Sequence, residues 1–511
     1  MRLCFPKVRL FAIQLHWLCD ALSGTLLLGA TVFGPWALGT TEGWSIWTMN
    51  CAGIILGILL GAKLVARRVY GFGPARRENL YPSSSSRWQN LTSFDSSYLT
   101  RCLAILTLAI CGYCLASALN ARSSYRAGQL CFIYHPYLTW LPHSLDAGST
   151  WFAFWTCVGL TCSFWSFRDW LLGKSWLEST GGESTGLCNG YPAISSRLRR
   201  LLWLLSINGA LLGLEGVLQR LCGTGKLLFV VKPRFNPEAV TQFGPYAYRG
   251  NAAEYFNLLW PVCLGFWWIL HRLNQLQPGK HHVLLGCASI VTACPIISTS
   301  RGGALITFGL VPLICVLLVV LQRDTWQKSR SGHYQFRSLI LIFLAASLGL
   351  GLLVGWKSLQ PRLCQAREDL VFREEIYEKA KPMASDYPWF GTGPGTFEKV
   401  FQFYRISSEA DWPAQLHNDW LETRITFGWI GTALLALALC IVLFGSFSAV
   451  TTLAPFLWVA MAGILAHARF DFPFQVHSIA FLFVVYCAIL SALSSTGFEN
   501  WPRRLACGPT R

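Results

Sequence analysis

The sequence is poor in charge. Asp, Glu, Lys and Arg make up 13% of its 511 residues, about half the share of a soluble globular chain. The few charges gather between long apolar runs, hydrophobic residues reach 53%, and mean hydropathy is +0.41. A soluble domain is excluded. The weakly alternating segments of a transmembrane β-barrel are also missing, which leaves a polytopic α-helical membrane protein. No GxxxxGK[ST] occurs, so a nucleotide P-loop is excluded. No internal repeat of the inverted kind that marks many transporters is visible. No cleavable signal peptide is expected, because the first apolar segment reads as a retained helix. The 19 cysteines fall mostly inside apolar segments, among them Cys102, Cys111, Cys157, Cys294 and Cys440, where they act as small hydrophobes. Cys111 and Cys114 have CxxC spacing but no second pair to complete a metal site.

What is present is a series of about twelve apolar spans, near 10–33, 44–66, 100–119, 148–170, 200–221, 251–270, 283–299, 302–321, 338–356, 427–448, 452–468 and 475–494. Each is close to the roughly 20 residues that cross a bilayer core. The fold class is therefore all-α, with a small helical external (periplasmic) cap. The net charge of +17 lies mostly in short loops beside these spans. That is the positive-inside pattern, so membrane lipids and no nucleic acid are the expected surroundings. It places both termini in the cytoplasm of a multi-pass inner-membrane protein. Three organisational units follow: 1–199, N-terminal helices with basic cytoplasmic loops; 200–494, a membrane core; and 495–511, a cytoplasmic tail. The polar stretches 67–99 and 171–198 read as cytoplasmic loops. The stretch 357–426 has mixed charge, aromatics and an amphipathic segment at 366–380, and is long enough to fold as the cap.

Charged groups at a membrane boundary are costly and carry a functional hypothesis by default. Four clusters qualify. In GPYAYRGNAAEYFNLLWP (244–261), Arg249 and Asn251 stand where a loop enters a span. The guanidinium can fork onto a phosphate or snorkel to lipid headgroups. In ACPIISTSRGGALI (293–306), Pro295 is expected to kink or end a helix. Ser300 and Arg301 then sit in a tight polar turn, which could face Arg249 across an anion site or be a plain hairpin turn. In DYPWFGTGPGTFEKVFQFYR (386–405), a glycine-rich turn precedes an expected helix from Thr396, whose free amides could bind an anion or serve only structure. The fourth cluster is HNDWLETRITFGWIG (417–431). If 418–426 is helical, His417, Leu421, Arg424 and Gly428 share one face, and Gly428 and Gly431 allow close helix packing. His417 is the candidate general base. Asp20 and Glu215 lie inside spans. They are unexplained by these clusters, and a structural hydrogen bond from Glu215 to Gln219 is expected.

Together and in order, the clusters resemble the signatures of the O-antigen ligase and polymerase superfamily of bacterial membrane glycosyltransferases. His417 and Asn418, followed by nine residues and then Gly428 and Gly431, are similar to its histidine motif. Ser300–Gly302 looks like its arginine-bearing turn. Arg249 with Asn251 looks like its GP…N-R-N loop, with Gly250 inserted between them. Arg373 with YPWFGTGPGTF resembles its large external loop. The match spans about residues 200–490.

The resemblance implies a glycan donor on polyprenyl pyrophosphate (undecaprenyl pyrophosphate), held by Arg249 and Arg301, and a hydroxyl acceptor activated by His417. Asn251, Ser300, Arg373, Asn418 and Arg424 would bind substrate. It implies an inverting, metal-independent transferase with no cofactor, acting in surface polysaccharide or lipopolysaccharide biosynthesis. The acceptor, a glycolipid, a glycan or a protein, would distinguish ligase, polymerase and O-oligosaccharyltransferase. The rival from another class is a lipid-linked glycan flippase or transporter, with Asp20 and Glu215 on its pathway.

Overall fold

The computed structural model describes residues 6–70, 96–129, 131–173, 194–273, 279–323, 330–405, 414–447 and 453–495. Thirteen helices of ten residues or more carry the fold among these residues. They are α1 (Pro6–Trp36), α2 (Gly43–Tyr70), α3 (Ser96–Leu119), α4 (Ala147–Leu172), α5 (Ser196–Cys222), α6 (Arg249–Leu273), α7 (Val283–Ile297), α8 (Arg301–Arg323), α9 (Arg330–Cys364), α10 (Ala366–Asp386), α11 (Asp419–Phe447), α12 (Ala454–His467) and α13 (His477–Ser495). All but α10 coincide with an expected span. Nine stretches among the described residues are long and apolar enough to cross a membrane. The helices α4 and α6 fall outside that set, and α12, with 14 residues, is short. Most of the polar loops 67–99 and 171–198, and all of 496–511, lie outside the described residues.

The core gathers around α6, whose Trp260, Trp267 and Trp268 are fully buried, with α7, α12 and α13 packed on it. Although apolar helices surround it, α6 carries Glu254 and Asn257 inside the bundle. Asn257 is satisfied there: its Nδ2 donates to the Gly303 carbonyl at 2.8 Å, and its Oδ1 accepts from Thr307 at 2.7 Å. These bonds tie α6 to α8, as a buried amide requires.

The N-terminal helices are joined by charge. Lys63, 1% exposed, contacts Asp20 and Asp169 at 2.7 Å each. Asp169 also pairs with Arg67, and Asp20 with Arg197 at 2.6 Å. Asp20 is thus one member of a network that links α1, α2, α4 and α5. Glu215 does not meet Gln219 as expected. Gln219 Oε1 accepts from the Gly244 amide at 2.6 Å, while both Glu215 oxygens lack a protein partner. The loop after α5 occupies both ends of the amide, since Gln219 Nε2 also donates to the Lys226 carbonyl at 3.1 Å.

The cap is broader than the segment 357–426. A two-stranded hairpin, β1 (Ser123–Arg126) and β2 (Cys131–Tyr134), joins it. Asp146 caps α4 and pairs with Lys399 at 2.7 Å, and the Leu145 amide donates to Thr392. Within the cap, α10 packs Ile376, Ala380 and Met383 against Phe397, Phe401 and Ile425.

The glycine-rich turn is structural. Thr392 and Gly393 donate to the carbonyls of Ile425 and Thr426, and Trp429 and Ile430 donate to Pro388 and Trp389. The helix expected from Thr396 is a single turn, Phe397–Val400, so it offers no extended helix terminus to an anion.

Two local expectations change. The helix α7 continues two residues past Pro295, because a proline in the last turn removes one bond near an end that was about to stop. The run 419–447 is broken at Gly428 (φ 61°, ψ −170°). Gly428 therefore does not continue the helical face of Leu421 and Arg424.

Candidate active site

Five chain segments converge at one end of the bundle: the start of α6, the start of α8, the end of α9 with α10, the segment before α11, and the loop between α12 and α13. Local structure fixes His417 first. Its backbone is left-handed (φ +57°), an uncommon state for a non-glycine residue that persists only when its surroundings hold it. Those surroundings are explicit. Tyr377 from α10 donates to the His417 carbonyl at 2.6 Å. Asn418 Oδ1 accepts from the Leu421 amide, capping α11. The Asp419 amide donates to the carbonyls of Ala468 and Asp471. Glu422 accepts from the Leu416 amide at 2.7 Å, and Asp419 accepts from the Phe474 amide at 2.7 Å. Asn418 is thus used as a helix cap.

The imidazole of His417 packs edge-on against Phe472 and Tyr248. Its Nδ1 lies 2.9 Å from Asp471 Oδ1. Asp471 is buried, whereas a quarter of the His417 side chain is exposed. Tyr248 donates to Asp471 Oδ2 at 3.3 Å. Arg373 from α10 lies 4.0 Å from the same oxygen, donates to the Phe470 carbonyl, and reaches the Tyr248 hydroxyl at 3.5 Å. Burial alone pushes the Asp471 carboxyl up. The hydrogen bond and charge of His417, with the charges of Arg373 and His467, outweigh it and hold the group below the usual carboxylate range. Burial and the Asp471 charge push the Tyr248 phenol up, so it remains a donor. Burial works against the Arg373 cation, but Asp471 and Tyr248 favour it more and raise its value.

An ionised carboxylate only accepts hydrogen bonds. The proton of a neutral His417 ring therefore sits on Nδ1, and Nε2 keeps a free lone pair. Chemically this is a base with its orienting acid.

Glycines make the approach possible. A Cβ on Gly250 would lie 2.3 Å from the Tyr248 ring and 3.0 Å from Asp471 Oδ2. The residue inserted between Arg249 and Asn251 is thus the one over which this tyrosine and this carboxylate close. A Cβ on Gly302 would lie 2.8 Å from His467 Nε2, and one on Gly303 would lie 2.2 Å from Ala253 Cβ. The turn after Ser300 brings α8 against both neighbours.

The arginines are placed by backbone carbonyls. Arg249 Nη1 donates to Val240 at 2.7 Å. Arg301 Nη1 reaches the carbonyls of Arg362 and Gln365 at 3.4 Å. Arg301 and Arg362 both lie within electrostatic reach of Tyr248, and Arg301 also feels Arg373. Ser300 Oγ accepts from the Gly303 amide, so it starts α8. Asn251 is buried with its Oδ1 unpartnered. Arg424 stands apart from these contacts, its guanidinium 4.1 Å from the Trp429 ring centroid.

Sequence reasoning missed Asp471, Tyr248, Arg362, Glu254 and His467. Asp471 lies 54 residues from His417 in a loop with no recognisable motif, and Arg362 read as part of a mixed-charge segment. Behind Asp471, Glu254 and His467 are fully buried, 3.8 Å apart. Each offers a ligand atom within 4.8 Å of the others and of Asp471. This trio could hold a cation, although Asp471 already serves His417 and Tyr248.

Residues 286–436 match the family model described as O-antigen ligase. The matched stretch includes Ser300, Arg301, Arg362, Arg373, His417 and Asn418; Tyr248, Arg249 and Glu254 precede it, and His467 and Asp471 follow. No curated protein matches the chain.

Proposed function

We propose that this chain, which belongs to the O-antigen ligase superfamily through its domain at 286–436, transfers a glycan from a polyprenyl-pyrophosphate donor to an acceptor hydroxyl at the outer face of the inner membrane. The observation that carries this reading is the 2.9 Å contact between His417 Nδ1 and Asp471, set beside arginines at one end of a membrane bundle. His417 Nε2 takes the proton of the acceptor hydroxyl. The oxygen attacks the anomeric carbon, and the bond from that carbon to the phosphate oxygen breaks. The pyrophosphate leaves with its added negative charge, and a single displacement inverts the centre. Arg301 and Arg249 meet the leaving charge as it grows. Arg362, whose Nη1 is buried without a protein partner, adds a third guanidinium. Arg373 holds Asp471 and Tyr248 in place. With charge met by arginines, the displacement needs no metal.

A lipid-anchored donor also accounts for the position of His417. The scissile bond is only a pyrophosphate away from the bilayer, so the base must stand at the membrane surface. The flippase alternative loses one of its supports: Asp20 is locked between Lys63 and Arg197 and is not free to carry a substrate or a proton.

The test is glycan transfer by the purified protein in nanodiscs with a polyprenyl-pyrophosphate glycan. Wild type is expected to release the pyrophosphate lipid when acceptor is present, His417→Ala and Arg301→Ala are expected to fail, and the product's mass names the acceptor. The reading falls if wild type leaves the donor intact with lipid A core, glycan and peptide acceptors alike.

A further inference from the structure

At the opposite end of α6 from Arg249, three histidines meet. His271 lies in the last turn of α6. His281 and His282 lie in the short turn Lys280–His282 that leads into α7. Each offers one ligand atom, and the three atoms lie within 4.8 Å of one another. The ring centroids are 5.6 Å apart for His271 and His281, 5.8 Å for His271 and His282, and 4.1 Å for His281 and His282. We propose that these three imidazoles form a binding site for a divalent transition-metal ion of the zinc type, clamping the end of α6 to the start of α7.

Four observations carry it. First, His271 Nδ1 and His281 Nε2 are 3.4 Å apart. That is long for an N–H···N hydrogen bond. It is the edge expected of a tetrahedron with metal–nitrogen bonds of about 2.0–2.1 Å, which is about 3.4 Å. Second, His281 is buried with its Nε2 turned to His271 Nδ1, so the polarity of that nitrogen is met within the cluster. Third, the His271 ring is held in place, stacked 5.3 Å from Trp267 with Phe336 beyond. Packing thus fixes one ligand before any ion arrives. Fourth, His282 is exposed, which gives the ion a route in and leaves a coordination position for water.

The donor set selects the ion. Three neutral imidazoles suit zinc, copper or nickel and suit magnesium or calcium poorly. The site is remote from His417 and takes no part in the transfer step. Its role is to fix the pairing of α6, which carries Arg249 and Glu254 at its far end, with α7.

The experiment uses the full chain in nanodiscs, without a histidine tag and stripped of metal, titrated with Co2+ as a visible probe and then with Zn2+. One Co2+ per chain is expected, with the intense visible absorption of tetrahedral nitrogen coordination, displaced by Zn2+. The double variant His271→Ala/His281→Ala should bind about 100-fold more weakly or not at all, and His467→Ala should bind as wild type. X-ray absorption at the zinc edge of the wild-type protein should count three imidazole ligands, a readout that does not depend on whether the double variant folds. The proposal is overturned by fewer than three imidazoles at that edge, by unchanged binding in the double variant, or by loss of the signal in His467→Ala alone.

Discussion

Asp471 Oδ1 stands 2.9 Å from His417 Nδ1, and the two residues come from opposite sides of α11 and α12 in the chain. The carboxylate is buried and the imidazole is partly exposed. This asymmetry keeps the carboxylate in the interior while the imidazole stays open to the outside. Tyr248 and Arg373 occupy the other oxygen of Asp471, so the carboxylate cannot turn away from the ring.

Replacing Asp471 by Asn should therefore damage catalysis through the tautomer. An amide nitrogen would donate to Nδ1 and drive the ring proton to Nε2, where it blocks acceptance from the acceptor hydroxyl. Loss of transfer up to about 10⁴-fold is expected, and His417→Ala should lose on the order of 10²–10⁴-fold. Donor binding should be nearly unchanged in both. Single-turnover rates with saturating donor check this; an Asp471→Asn enzyme within about threefold of wild type would falsify the orienting role.

The same carboxylate makes stability depend on acid. Its value in the folded chain is depressed, so the unfolded state takes up the proton more readily. The stabilisation is fully present above the ordinary aspartate value of about 3.9 and is lost as pH falls through the lower folded value. Melting curves in detergent between neutrality and about pH 3 should show wild type losing stability in the acid range. Asp471→Asn should start less stable at neutrality and fall less steeply there.

The helices were legible because bilayer spans announce themselves by length and apolarity, and all twelve expected spans are helical. Arg301 was legible because it stands beside Gly302 and Gly303 at a span boundary, and His417 because it stands in a polar stretch just ahead of one. Asp471, Tyr248 and Arg362 were not, because their partners are brought by tertiary packing and no spacing links residue 471 to 417. Gly428 misled in an instructive way. Its glycine suggested helix packing, whereas it marks a backbone break that only glycine tolerates, filled by the Trp389–Gly391 turn. The histidine cluster of 271, 281 and 282 was hidden likewise, since α6 and α7 had to fold back on each other to form it.

That break yields a stability prediction. At φ 61° and ψ −170° a side chain is strained before any contact is counted, and a Cβ at Gly428 would lie 2.3 Å from the Trp389 carbonyl oxygen. Gly428→Ala should cost about 3 kcal/mol or more and loosen the 388–393 turn with it. Gly112→Ala, in α3 with nothing within 4 Å of the new methyl, should be neutral or slightly stabilising. Equal melting temperatures for the two variants would refute the account of the break.

Lys63 should be less replaceable than any surface lysine. It neutralises two carboxylates at once and is buried. Lys63→Met removes the cation and leaves Asp20 and Asp169 to Arg197 and Arg67, at a cost of about 3–5 kcal/mol. Asp20→Asn in the same chain should recover part of that loss, because one uncompensated charge goes with it. A double-mutant cycle on thermal stability measures the coupling, and additive losses would show that Lys63 and Asp20 act independently.

Arg362 gives the sharpest test of how the leaving group is held. Its Nη1 is buried without a protein partner, and its own carbonyl accepts from Arg301, so the two arginines are coupled through the end of α9. A charge-assisted hydrogen bond to phosphate is worth about 1.5–3 kcal/mol, so Arg362→Ala should lower kcat/KM for a pyrophosphate-linked donor by roughly 10–150-fold. Arg362→Lys should recover little, since a point charge replaces a planar fork. If the guanidinium acts mainly on the departing pyrophosphate, kcat falls while KM holds; if it acts mainly on the bound donor, KM rises while kcat holds. An Arg362→Ala enzyme with both constants unchanged removes this arginine from the site and leaves the leaving group to Arg249 and Arg301.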